Sequence, residues 1–131
     1  MRPPVPDSKI IFVRFQKTLD DIIEEYAKNT NTAKATVVGR VMIEYIRKLD
    51  ASSQGRFDTL KRNEFGFSSL SSSFFVKPGR AAERSLGKPM RVTVKKMDES
   101  NMKLAAASCG YSLPQFRTAI MVTWARNNGL L

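Results

Sequence analysis

The sequence predicts a mainly α-helical fold with one two-stranded antiparallel ribbon, made by two strand–helix–helix repeats that pair within a single chain. Three observations predict it. Two patterned blocks, residues 9–50 and 90–131, carry the same local signals in the same order. They superpose without a gap at an offset of 79 positions. And each block, with one unpaired strand and two sticky helices in about forty residues, is too small to fold alone. The superposition sets apolar against apolar: Val13 on Val92, Phe15 on Val94, Ile23 on Met102, Ala27 on Ala106, Val37 on Phe116, Val41 on Ile120 and Tyr45 on Trp124. It also sets Asn31 on Gly110, two residue types that tolerate a left-handed turn.

Each element has its own justification. Lys9–Gln16 and Met90–Lys95 are rich in β-branched and aromatic residues and short enough for strands. The second alternates, with Val92 and Val94 on one face and Arg91, Thr93 and Lys95 on the other. Acidic helix starts follow at Leu19-Asp20-Asp21 and Met97-Asp98-Glu99, where carboxylates suit the positive end of the helix dipole. Ile22, Ile23, Tyr26 and Ala27 recur at helical spacing, as do Met102, Ala105 and Ala106, until Asn31 and Gly110 stop the turns. A longer helix then starts after Thr32 and after Ser112, either hydroxyl being able to cap free amides, and Pro114 suits a first turn. Val37, Val38, Val41, Tyr45 and Leu49 make one apolar stripe, and Phe116, Ile120 and Trp124 its counterpart.

The remaining zones are an N-terminal arm over 1–8, rich in proline and expected to be flexible, and a linker over 51–89, rich in Ser, Gly and Phe. In the linker, 56–64 suits a short helix. Phe57, Phe65, Phe67, Phe74 and Phe75 are many aromatics for a spacer and suit packing or docking. With 131 residues, 42% hydrophobic and 26% charged, the composition is that of one small globular domain. The longest apolar runs, Ile10–Val13 and Ala119–Val122, are far too short to cross a bilayer. The N-terminus lacks the apolar core of a secretion signal, and a lone cysteine, Cys109, fits a reducing cytoplasm as a small buried residue. No histidine is present, which removes the commonest general base and, with one cysteine, the usual zinc sites. No enzyme, metal or cofactor is therefore expected. The 22 basic against 12 acidic residues give a net charge of +10, spread along the chain, and point to a polyanion, nucleic acid first.

On these residues each block resembles a ribbon–helix–helix unit, the fold of small dimeric repressors that lay a two-stranded ribbon in the DNA major groove. Two units on one polypeptide resemble the tandem TraY relaxosome accessory proteins of F-like conjugative plasmids, although the long linker departs from that pattern. The resemblance implies a non-catalytic double-stranded DNA binder at an origin of transfer, working with a relaxase and other relaxosome proteins. It also implies a monomer in solution, with several copies able to gather on DNA. With Val13, Phe15, Val92 and Val94 turned inward, the base-reading candidates are Phe12, Arg14, Gln16, Arg91, Thr93 and Lys95. The two rows differ, so an asymmetric site is expected. Phosphate contacts are expected at the starts of the longer helices, from Thr32, Ala33, Lys34, Tyr111, Ser112 and Leu113, and Arg2 on the arm suits the DNA backbone or a minor groove. The same surface also suits a transcriptional repressor that regulates its own gene, or a scaffold docking an acidic protein.

Overall fold

The computed structural model describes residues 7–57 and 86–131; the expectations for Arg2, Phe65, Phe67, Phe74 and Phe75 fall outside them, as does most of 56–64. The described residues form a two-stranded antiparallel sheet and four α-helices. In chain order these are β1 (Ser8–Val13), α1 (Lys17–Asn29), α2 (Lys34–Ser53), β2 (Met90–Lys95), α3 (Lys96–Cys109) and α4 (Leu113–Asn127).

The ladder runs from Ser8 opposite Lys95 to Val13 opposite Met90, so Phe12 faces Arg91, the residue 79 positions further on. Its inner face is apolar and closed: Ile11, Val13, Val92 and Val94 are all buried. The ladder is extended at one end by the Lys96 amide donating to the Asp7 carbonyl (2.7 Å). At the other end it loses register. Pro89, which has no N–H to give, follows Lys88, and pairing resumes only where the Gly87 amide donates to Phe15 O (2.8 Å) and Gln16 bridges Leu86.

Helix starts keep the 79-residue offset, with Lys17 and Lys96 opening α1 and α3, and Lys34 and Leu113 opening α2 and α4. Asn31 (φ 52°) and Gly110 (φ 75°) both take the left-handed conformation that ends the first helix of each block. The strand signal over 9–16 resolves differently, because β1 stops at Val13 and the chain turns into a helix two residues earlier than the acidic pair suggests.

α2 and α3 pack against β2, and α1 and α4 close the core against the other helices. Phe15, Leu19, Ile23, Val38, Met42, Ile46, Met102, Phe116, Ile120 and Met121 fill the interior, and Phe57 joins them from the start of the linker. Tyr26 of α1 meets Trp124 of α4 edge to face, centroids 4.8 Å apart. Gly39 lets α2 lie against β2, since a Cβ there would stand 3.1 Å from Val92 Cγ1. Cys109 is buried at the end of α3. No helix among the described residues is long and apolar enough to cross a membrane.

Gly87 is more tightly enclosed than Gly39, Gly55 or Gly129. A Cβ there would sit 2.6 Å from the Asp20 Cβ, and Asp20 is buried and ion-paired, so it has nowhere to move. Gly87→Ala is expected to destabilise the fold by about 1–3 kcal/mol, the usual cost of overpacking. Urea unfolding measures it, and an unchanged midpoint would show that the 86–87 segment does not pack there.

Candidate nucleic-acid interface

The outward row of β1 is Ser8, Ile10 and Phe12, facing Lys95, Thr93 and Arg91 on β2. Phe12, Arg91, Thr93 and Lys95 are exposed together on one face, as the alternation predicts. The Arg91 guanidinium carbon lies 5.6 Å from the centroid of the Phe12 ring, a cation–π contact that orients both. Arg14 follows just past the ladder, exposed, with its Nε donating to the Gly87 carbonyl at 2.7 Å.

Gln16 does not join this face. It is the N-cap of α1, its Oε1 accepting from the amides of Thr18 (2.9 Å) and Leu19 (3.2 Å). An amide side chain at a helix start satisfies orphan N–H groups that only water would otherwise serve. Three other residues belong to the neighbourhood and escaped the sequence reading. Ile10 is 54% exposed on the outward row, although the run Ile10–Val13 reads as apolar on both faces. Arg40 and Thr36 of α2 line a shallow groove with Arg91 and Thr93, and Gly39 in the middle of that helix was the available signal for the close approach.

The two longer helices begin differently. Thr32 is not a cap: its Oγ1 donates to Thr30 O (3.1 Å) and its amide to Ala27 O (2.9 Å), one residue before the true N-cap, Ala33. Ala33 offers no side-chain acceptor, so the first turn of α2 has no side-chain cap. Lys34 is turned to Asp20, with Nζ 2.6 Å from Oδ1. Ser112, in contrast, caps α4 in a reciprocal box: its Oγ accepts from the Gln115 amide (3.3 Å) and Gln115 Oε1 accepts from the Ser112 amide (3.0 Å). The Tyr111 amide is taken by Ala106 O (2.9 Å), and Pro114, which follows Leu113, has no amide hydrogen. Of the two starts, α2 is the better equipped to meet an anion.

Two buried carboxylates at equivalent positions, Asp20 and Glu99, anchor the base of the ribbon. Glu99 Oε2 meets Lys9 Nζ at 2.8 Å, while its Oε1 lies 3.6 Å from Lys103 and 3.9 Å from the buried Arg117. Next to it, Asp98 pairs with Arg47 of α2 at 3.3 Å. Burial works to raise the Glu99 pKa, but the hydrogen bond and charge of Lys9, backed by Lys103 and Arg117, outweigh it and hold the carboxyl below its ordinary 4.5. Asp20, Asp21 and Glu24 bring carboxylate oxygens together at the start of α1, with Asp20 committed to Lys34. Comparison with protein-family models, with curated proteins and with solved structures finds no match.

A carboxyl whose folded pKa is depressed adds stability that is present above its unfolded value and lost as pH falls through the folded one. Acidification below 4.5 is therefore expected to weaken the fold, and Glu99→Gln to flatten that part of the profile while lowering stability at pH 7. Urea unfolding from pH 7 to pH 3 tests this; parallel curves for the two proteins would remove Glu99 from the account.

Proposed function

We propose that the chain is a tandem ribbon–helix–helix protein whose two strand–helix–helix segments act as the halves of a pseudo-dimer, and that it binds double-stranded DNA sequence-specifically. The observation that carries this reading is the register. Phe12 and Arg91 are equivalent under the 79-residue offset and face each other in the ladder, which aligns the outward side chains of both segments on one exposed face. Strands in a pair lie ~4.8 Å apart, so such a ribbon fits a major groove ~12 Å wide.

Arg91, Lys95 and Arg14 suit the paired acceptors of guanine, and Thr93 suits a thymine methyl or any hydrogen-bonding edge. Arg40 and the uncapped start of α2 flank the ribbon and suit phosphates, which the net charge of +10 attracts at long range. The rows differ, so the site is asymmetric and the protein has one orientation on it. By its resemblance to TraY proteins, the role is that of a cytoplasmic accessory factor at a conjugative origin of transfer. It works without catalysis, beside a relaxase that needs one strand chosen.

Selection from random duplex DNA followed by anisotropy titration from 50 to 200 mM salt tests the reading. Affinity for the selected duplex is expected to fall steeply with salt. Arg91→Ala should lose about 1–3 kcal/mol on that duplex and relax the preference at one position, with little loss of thermal stability. Retention of no duplex, or of palindromes alone, would defeat the proposal.

A further inference from the structure

Along the outward face of the ribbon the chemistry is ordered. Lys95 stands at one end and Arg14 at the other, and the middle is held by Ile10, Thr93 and Phe12, with Arg91 laid over the Phe12 ring. Ile10 is 54% and Phe12 66% exposed, while their immediate neighbours Ile11 and Val13 are 5% and 4% exposed. Two large apolar side chains are thus turned to solvent from a six-residue strand whose other face is closed. They are not spares of the core: strand alternation forces them outward once Ile11 and Val13 point in. Such a pair is a cost in the free protein unless a partner covers it.

We infer that Ile10 and Phe12 read the 5-methyl groups of thymine, so that the centre of the bound site is defined by methyl contacts and its flanks by basic side chains. This inference rests on the DNA-binding reading and adds the base edge that the ribbon selects. The thymine methyl is the one apolar group that an ordinary base pair offers in the major groove. The spacing agrees: residues two apart on a strand lie ~6.8 Å from each other, and two steps along one DNA strand also rise ~6.8 Å. The Thr93 methyl, directly across from Ile10, widens the same apolar strip. The charge around it fits a DNA duplex, because Arg91, Lys95 and Arg14 frame the apolar centre as phosphates and guanine acceptors frame a thymine methyl in the major groove.

The experiment compares duplexes that differ only in that methyl. A site is selected from random DNA and then resynthesised with uracil in place of thymine. Removing one buried methyl weakens binding about fourfold, so two contacted thymines give a loss of about tenfold or more. The double variant Ile10→Ser, Phe12→Ser is expected to bind thymine and uracil duplexes alike, with retained salt dependence. Both positions are exposed, and circular dichroism checks that the variant is folded. Equal affinity of the unaltered protein for the two duplexes, a selected site without central thymines, or a thymine preference surviving in the double variant would each overturn the inference while leaving DNA binding in place. Failure to retain either duplex would instead overturn the DNA-binding reading itself.

Discussion

The pairing of residues 8–13 with residues 90–95 is the constraint on which the rest depends. A lone six-residue strand presents open amides and carbonyls and holds no shape in water. Joining strands separated by about 77 residues costs about 4 kcal/mol of chain entropy, which grows only slowly with loop length. Burying Ile11, Val13, Val92 and Val94 returns about 1.5–3 kcal/mol each, so the inner face alone outweighs the closure. The helices make that burial available. α2 reaches β2 because Gly39 removes the side chain that would hold it off, and α1, α3 and α4 complete the floor. The outward row is then a by-product of alternation: whatever lies between the buried residues is displayed.

Electrostatics at the base of the ribbon follow the same frame. Asp20 and Glu99 occupy equivalent first-turn positions, where the helix dipole favours a carboxylate, and each is buried against a lysine. Because Lys9 and Lys34 neutralise these acids, they contribute little to the field above the ribbon. The described cations on and beside the outward face are Arg91, Lys95, Arg14 and Arg40. Removing Lys34 would strand the buried Asp20 charge, a far larger penalty than loss of an exposed pair, whereas Glu99 would keep Lys103 and Arg117 nearby.

Much of this architecture was legible in the sequence, and the misses share a cause. Among the described residues, period and offset located both strands, the four helices, the left-handed stops at Asn31 and Gly110 and the inward valines, because those signals are local and repeated. What local pattern could not supply was the destination of side chains whose partners lie far along the chain. Lys34 reads as a phosphate ligand until Asp20 is seen 2.6 Å away. Gln16 reads as a strand residue until the helix start at Lys17 makes it a cap. Thr32 and Ser112 look interchangeable as caps, and one residue of displacement separates a hydroxyl turned back on Thr30 from a complete capping box. The packing of Gly87 against Asp20 has no local signature at all.

The two blocks share a plan but not a surface, and they differ at both ends of the ribbon and at the starts of the long helices. One half of the ladder is regular through Ser8 and Lys95; the other is broken at Pro89 and finished by Gly87, whose carbonyl fixes Arg14. One long helix starts open and the other closed by its own box. In a homodimer every such change would appear twice, related by the two-fold axis, and a break in the ladder would weaken both ends of the ribbon. Joining the halves in one chain confines each change to one side. Pro89 can end the pairing at one edge because the regular edge still holds the strands together. Under the proposed pseudo-dimer reading, that freedom gives the ribbon a direction without a new fold, because the exposed positions can differ between the two strands while the buried positions between them stay apolar.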